Sequence, residues 1–180
     1  MEINETQSVL LRRLVHGDRN SLALLANNKK IFDNVRDFFP FPYSEKNAAE
    51  FIELCLNEDP AVTYAVEFQQ QLAGVIGLVL QTDVYRKSAE IGYWIGEPFW
   101  NKGIAGSAVD QMVKYAFEEL KLIRIFTGVF DFNIASQRVL EKCGFELEGI
   151  FKNSVIKNGN VCNEYRYAKC NNIRNSVTRG

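Results

Sequence analysis

The stretch WNKGIAGSAVDQMVKYAFEEL, residues 100–120, combines a glycine-bearing turn with an amphipathic helix. Its apolar side chains recur every three or four residues, which is the stripe of a helix buried on one side. Just upstream, IGYWIGEPFW is typical of a strand that runs into a turn at Gly96 and Pro98. The pattern therefore predicts a strand, a turn and a helix in direct succession.

The start of this helix is a candidate anion site. The first amides of a helix have no acceptor inside it, and the helix dipole favours negative charge there. Gly103, Ala105 and Gly106 are small enough to let a phosphate approach the backbone closely. The alternative is that these glycines only make a tight connection between strand and helix.

Three blocks of the chain resemble the GCN5-related N-acetyltransferases (GNAT). GYWIGEPFWNKGIAGSA, residues 92–108, resembles the acetyl-CoA loop of that family, while NIASQRVLEKCGF at 133–145 and FPYSEKNAAEFI at 41–52 resemble two further family blocks. The resemblance covers about residues 10–169. The loop resembles most closely that of the RimJ/RimL-like branch, which often has tryptophan at the position of Trp100. That branch acetylates ribosomal-protein N-termini and related amines.

Composition restricts the other classes of function. The chain of 180 residues is 47% apolar and 24% charged, which suits one soluble domain with a sizeable core. A net charge of −1 supplies no basic field for nucleic acid or anionic lipid, and the longest apolar run, residues 72–80, is too short to span a bilayer. The start MEINETQ has no signal-peptide core, so a cytoplasmic location is expected. We predict a single domain over residues 1–180, with its core at about 8–170 and a polar tail at 171–180.

No metal is expected. The four cysteines show no CxxC spacing and His16 is the only histidine, so a zinc site would be hard to assemble. The four thiols are expected to be reduced.

Hydrophobic periodicity predicts the remaining elements. Strands are expected at 9–15, 62–68, 72–81, 88–95, 124–130, 145–151 and 161–170, and helices at 19–27, 44–57, 105–120 and 133–143, with a loop-rich segment at 27–43. The strand, helix and strand from 88 to 130 predict one parallel pair. The resemblance implies an α/β (mixed α+β) fold. It has about seven strands in a mostly antiparallel sheet, about four helices on both faces, and a parallel pair that splays apart.

The resemblance also implies the residues that bind acetyl-CoA. The backbone amides of Lys102, Gly103, Ile104, Ala105, Gly106 and Ser107 would hold the diphosphate. The pantetheine arm would enter the gap between the splayed strands and pair with the backbone of Tyr93, Trp94 and Ile95. Asn133 matches the family residue whose side chain bonds this arm.

Acetyl transfer to an amine also needs a base and a proton donor. A lysine-type amine has a pKa near 10.4 and an α-amine near 8, so both are mostly protonated at neutral pH. Glu90, on the face of its strand that carries Trp94, is the candidate base, although it could be a structural hydrogen-bonding group. The resemblance implies Ser136 as the proton donor, because Leu140 stands where many members have tyrosine. The alternative for Ser136 is a hydrogen bond to nearby backbone.

Several further positions depart from the family pattern or stay open. Some relatives carry a glutamate base at a position that falls near Ser154 and Val155 in this chain, where there is no acid. Glu148 and Glu164 are close in sequence, but the sequence does not place them. Ser107 stands where many relatives have glutamate.

Phe41 and Tyr43 are predicted to form a wall of the acceptor pocket together with Glu90. The alternative for these aromatics is packing of a loop over the core. The expected activity is direct transfer of acetyl from acetyl-CoA, within a ternary complex, to a primary amine of a protein N-terminus, a polyamine or a small molecule. The alternative from another class is a catalytically impaired acyl-CoA-binding sensor or scaffold. Either a monomer or a homodimer is compatible with the sequence.

Overall fold

The computed structural model describes residues 9–171 of the chain. The acidic start and nearly all of the predicted polar tail lie outside the described residues. Among the helices of the described segment, none is both long and apolar enough to cross a membrane.

Within residues 9–171, seven strands form one sheet in the order β1-β2-β3-β4-β5-β7-β6, in which β4 and β5 are the parallel pair and all other neighbours are antiparallel. This confirms the mixed sheet that the sequence predicted. The strands are β1 (Val9–Arg12), β2 (Thr63–Phe68), β3 (Gln71–Leu80), β4 (Ser88–Ile95), β5 (Arg124–Phe130), β6 (Glu146–Lys157) and β7 (Asn160–Cys170).

In the part of the chain that the structure describes, five α-helices accompany the sheet, one more than the sequence indicated. They are α1 (Arg19–Ala26), α2 (Lys29–Phe32), α3 (Glu45–Leu56), α4 (Ile104–Glu118) and α5 (Ile134–Lys142). The extra helix, α2, is a single turn inside the segment predicted as loop. The side chain of Asn28 caps the start of α2 by accepting a hydrogen bond from the amide of Lys30. A single helical turn is too short to leave a periodic signal in the sequence.

Two strand boundaries were wrong. The first strand ends at Arg12 and not at residue 15, because Asp18 accepts hydrogen bonds from the Arg12 guanidinium and the Val15 amide and turns the chain away from the sheet. Strand β6 runs six residues beyond its predicted end at 151. Two register shifts between β6 and β7 interrupt the regular alternation that would have marked its length in the sequence.

The turns and caps follow the local sequence closely. Asn158 and Gly159 both have positive φ, 50° and 78°, in the turn between β6 and β7, as expected for an Asn-Gly hairpin. Ser44 and Asn47 form a reciprocal capping box at the start of α3. Gly144, with φ of 77°, ends α5, and the amide of Phe145 bonds back to Leu140.

Two apolar clusters cover the two faces of the sheet. One contains the buried side chains of α4 and α5 together with Ile91 and Ile95 of β4. The other contains those of α1 and α3, with Trp94 packed against it. The predicted alternation of side chains along β4 is therefore confirmed, because those on its two faces pack against different clusters. We call these two faces the α4/α5 face and the α1/α3 face.

Candidate active site

A gap opens between the two parallel strands. Ser88, Ala89 and Glu90 of β4 pair with Arg124, Ile125 and Phe126 of β5, and the pairing ends there. The rest of β4, residues 91–95, continues to pair with β3 on its other side, and the rest of β5 continues to pair with β7. The predicted splay is therefore present, and one edge of residues 91–95 has no strand partner.

The start of α4 presents unpaired amides close to the end of β4. Gly103 is the N-cap residue, with a left-handed φ of 74°, and no side chain caps this end of the helix. Within residues 9–171, the amides of Ile104, Ala105 and Gly106 have no hydrogen-bond acceptor. The amide of Ser107 is different, because it bonds to the carbonyl of Gly103 at 3.1 Å and is not available to a ligand.

The space above the two glycines of this turn is open. A Cβ added to Gly103 would meet no atom within 4 Å, and one added to Gly106 would meet only the Cys143 sulfur at 3.9 Å. Neither glycine is therefore required by packing inside the protein. Gly103 is required by its positive φ, while Gly106, in an ordinary helical conformation, leaves its amide accessible from outside.

Two side chains hold the turn in place. Trp100 donates from its indole Nε1 to the carbonyl of Ile95 at 2.6 Å, which ties the turn to the end of β4. Lys102 donates from Nζ to the carbonyl of Pro98 at 3.0 Å, so its charge lies over the turn itself. The turn before α4 is thus anchored to the strand that borders the gap.

On the α4/α5 face, Tyr93 and Ser136 meet beside the gap. Their hydroxyl oxygens are 2.9 Å apart, joining the unpaired segment of β4 to the first turn of α5. Burial raises the pKa of Tyr93 to about 12, and the hydrogen bond with Ser136 offsets only part of that rise. Leu140, at the position where tyrosine was expected in many relatives, is fully buried in the core. Sequence reasoning singled out Ser136 and the backbone of Tyr93 but missed this pairing of their hydroxyls.

Asn133 is the N-cap of α5. Its Oδ1 accepts the amide of Ser136 at 3.1 Å, which fixes the first turn of the helix. Its Nδ2 makes no hydrogen bond to any other residue of the described segment, so this donor is available to a ligand.

On the α1/α3 face, two glutamates flank the gap. Glu90 is the last residue of β4 that pairs with β5, and it forms an ion pair with Arg36 from the loop after α2. Glu164 of β7 lies over Gly128 of β5, where an added Cβ would overlap its carboxylate, and it pairs with Arg166. The two glutamate side chains are 18% and 14% exposed. The structure thus places Glu164 at the gap, which the sequence could not do.

Arg166 is itself held between two rings. Its guanidinium carbon lies 5.4 Å from the ring centre of Phe126 and 5.2 Å from that of Phe151. Glu148, the other carboxylate left open by the sequence, pairs instead with Arg124. Arg124 lies in the closed part of the β4–β5 pair, opposite Ser88, so Glu148 is away from the gap.

The aromatic loop before α3 divides between surface and core. Phe41 is 40% exposed and stacks on Phe32 with ring centres 5.2 Å apart. Tyr43 is only 7% exposed and belongs to the α1/α3 cluster. Phe39, which contacts both Tyr43 and Trp94, connects this loop to β4. Packing therefore accounts for Tyr43, and Phe41 is the member of the pair that a ligand can reach.

The tip of the β6–β7 hairpin closes over this same loop. Buried Lys157 donates to Asp37 at 2.6 Å and lies 3.7 Å from the ring centre of Phe32, and Asn158 donates to Asp33 at 2.8 Å. These contacts join residues more than 100 positions apart, and no sequence pattern signals them. They hold the loop that supplies Arg36 to Glu90.

Comparison with known proteins agrees with this architecture. A family model described as an acetyltransferase (GNAT) domain matches residues 8–146. A probable N-acetyltransferase of Bacillus subtilis, YjcK, is 35% identical over 147 residues, which cover 77% of this chain and 80% of that protein.

Solved structures show the same fold. A spermidine N-acetyltransferase from Vibrio cholerae, solved with CoA and spermine, is 27% identical with a TM-score of 0.76, covering 90% of this chain and 95% of that one. RimL, an acetyltransferase of the ribosomal L7/L12 α-amine solved with CoA, has a TM-score of 0.79 at 24% identity, covering 94% and 96% of the two chains. At that identity the second likeness carries the fold alone.

Proposed function

Because the chain belongs to the acetyltransferase (GNAT) family, we propose that it transfers an acetyl group from acetyl-CoA to a primary amine that carries positive charge before reaction. The observation that carries the proposal is the end of β4–β5 pairing at Glu90 and Phe126, next to the unpaired amides that start α4. The gap and the amides supply the two binding features that a long, anionic acetyl donor requires. The V. cholerae relative is solved with CoA and spermine.

The chain's own groups fit such a donor. The amides of Ile104, Ala105 and Gly106 lack acceptors within the described residues, and the open space above Gly103 and Gly106 admits a phosphate to them. The unpaired edge of residues 91–95 and the Nδ2 of Asn133 would hold the arm of the donor. The donor supplies a thioester carbonyl that an amine attacks and a thiol that leaves. A backbone amide from the unpaired edge would polarise that carbonyl.

The acceptor side has to bind a cation and remove a proton from it. The side chains of Glu90 and Glu164 both lie on the α1/α3 side of the gap, and each forms an ion pair with one arginine. Carboxylates in this arrangement attract an ammonium group and can accept its proton directly or through water. Arg36 must release Glu90 for that carboxylate to act as a base. We therefore assign Glu90 the role of base and Glu164 the role of binding the incoming cation.

The test is a screen for acetyl acceptors. The protein is incubated with acetyl-CoA and a panel of peptides with free α-amines, linear polyamines and small primary amines. Thiol release and the mass of each product are then recorded. At least one acceptor should be acetylated with continuing turnover. Tight binding of acetyl-CoA without turnover of any amine would overturn the proposal and leave a donor-binding sensor.

Variants of three glutamates then test the assignment. Glu90→Gln should slow turnover at neutral pH while leaving acetyl-CoA affinity unchanged, and Glu164→Gln should raise the KM of the amine. Glu148→Gln is the matched control, because Glu148 is also paired with an arginine but lies beside the closed part of the sheet. If Glu90→Gln keeps full activity across the pH range, Glu90 is not the base.

A further inference from the structure

The hydroxyl pair formed by Tyr93 and Ser136 has a direction that the structure allows us to work out. A phenol is a stronger acid than an alcohol, so in a phenol–alcohol pair the phenol is the better donor. Burial keeps the Tyr93 hydroxyl protonated, since it raises the pKa of that group to about 12. Geometry alone lets either hydroxyl donate, and the greater acidity of the phenol favours Tyr93 as the donor to Ser136 Oγ.

This direction decides where the proton of Ser136 can go. With Tyr93 as the donor, the serine oxygen accepts across the 2.9 Å between the two hydroxyls, and the serine amide donates to Asn133 Oδ1 at 3.1 Å. Tyr93 is the one hydrogen-bond partner of the Ser136 hydroxyl within residues 9–171, so the serine proton has no protein acceptor there. It remains available to an acceptor that enters the gap beside β4.

We propose that Tyr93 is a positioning residue: by donating to Ser136 Oγ it directs the serine proton toward the sulfur of the leaving thiol. The proposal rests on the acetyltransferase function above. As the carbon–sulfur bond breaks, its electron pair stays on sulfur and the serine hydroxyl donates a hydrogen bond to that pair. No bond to Tyr93 or Ser136 is made or broken.

Because Leu140 carries no hydroxyl, the phenol that bonds Ser136 has to come from β4. Its side chain is fully buried among the apolar residues of α4, α5 and the sheet, so α5 itself offers no phenol at this point. Tyr93 reaches the same helix from the opposite side of the gap. Cys143 also acts electrostatically on Tyr93, and burial raises the pKa of its thiol to about 11, so this thiol stays neutral and does not compete as an acid.

The first experiment measures a bound product and needs no turnover. Coenzyme A is titrated on the protein, and the pKa of its bound thiol is read from thiolate absorbance in the ultraviolet. The bound thiol should have a pKa below that of a free thiol, about 8.5. Tyr93→Phe and Ser136→Ala should each move it back up by about one unit, which corresponds to about tenfold in thiolate stability. The double variant should move it no further.

Tyr115→Phe is the matched control. Tyr115 also donates a hydroxyl hydrogen bond, to the carbonyl of Ala61 at 3.0 Å, but on α4 and away from Ser136. Tyr115→Phe should therefore leave the pKa of the bound thiol unchanged. With an active acceptor, Tyr93→Phe should lower kcat about fivefold to tenfold and leave the KM for acetyl-CoA unchanged.

Three results are decisive. A bound-thiol pKa that Ser136→Ala shifts and Tyr93→Phe does not would overturn the positioning role of Tyr93 and leave Ser136 intact. Additive shifts in the double variant would show two independent contacts and overturn the proposal as well. Because the thiol is titrated without an acceptor, failure to find an amine substrate would count against the proposed function and not against this inference. If Tyr93→Phe does not fold, Ser136→Ala alone has to raise the thiol pKa, and an unchanged value overturns the proposal.

Discussion

Replacing the two glycines before and within α4 by alanine should change stability in opposite directions and CoA affinity in the same direction. Gly103 has φ of 74°, which costs an L-residue roughly 1–2 kcal/mol, and its surroundings are open. Gly106 has an ordinary helical conformation and is 3.9 Å from the Cys143 sulfur. Alanine is favoured there by about 0.5–1 kcal/mol.

In a chain of this size 1 kcal/mol moves Tm by roughly 2–4 °C. Gly103→Ala should therefore lower Tm of the free protein by a few degrees, and Gly106→Ala should raise it slightly. We expect each added methyl group to crowd a diphosphate bound at the amides of this turn. Loss of one hydrogen bond to a charged group costs about 1.5–3 kcal/mol, so each variant should bind CoA about 10-fold to 100-fold more weakly.

The assays are thermal unfolding of the free protein and calorimetric titration with CoA. Gly159→Ala is the matched control for backbone strain, since Gly159 has φ of 78° in open space at the β6–β7 turn. It should lose as much stability as Gly103→Ala and no affinity. A Gly106→Ala protein that is more stable and binds CoA as tightly as the parent chain would refute the diphosphate site at these amides.

Three further predictions concern other parts of the molecule. Gly128→Ala should displace the carboxylate of Glu164 and raise the KM of the amine with CoA affinity unchanged, as steady-state kinetics can check. Burial raises the pKa of Asp18, but hydrogen bonds from Arg12 and a backbone amide outweigh it, and the net pKa lies below its usual value. The stabilisation by ionised Asp18 is present above the unfolded pKa, about 3.9, and is lost as pH falls through the lower folded value. Asp18→Asn should therefore make the free energy of unfolding depend less on pH below about pH 4, as acid denaturation can measure. Trp100→Phe removes the indole bond to the end of β4 and should lower the free energy of unfolding by about 1 kcal/mol in chemical denaturation, with no loss expected if the turn is held by other contacts.

Much of the architecture was predictable because it depends on short-range rules. The stripe of α4 was predicted and is confirmed, and the capping box at Ser44, the glycine end of α5 and the Asn-Gly turn likewise involve residues a few positions apart. The two boundary errors have different origins. The end of β1 is set by the nearby ion pair of Arg12 with Asp18, which leaves no hydrophobic pattern, and the length of β6 by a register that only its partner β7 defines.

The candidate site divides in the same way. Sequence alone located the turn at Gly103 and the strand face that carries Glu90, because motif spacing and strand alternation are local properties. The family resemblance singled out Asn133, which the structure shows to be a helix cap. It could not place Glu164, because the position of that carboxylate over Gly128 depends on how β7 aligns with β5.

By itself the sequence determined the order of the elements and the turn that leaves helix amides without acceptors, because each is encoded in residues that are neighbours along the chain. The mixed sheet was what the family resemblance implied. Only the tertiary structure decided which distant side chains meet: Tyr93 with Ser136, Arg36 with Glu90, and Lys157 with Asp37. These pairs join residues between 43 and 120 positions apart. Their meeting depends on the register of the sheet and the docking of helices and hairpin, which are properties of the whole fold.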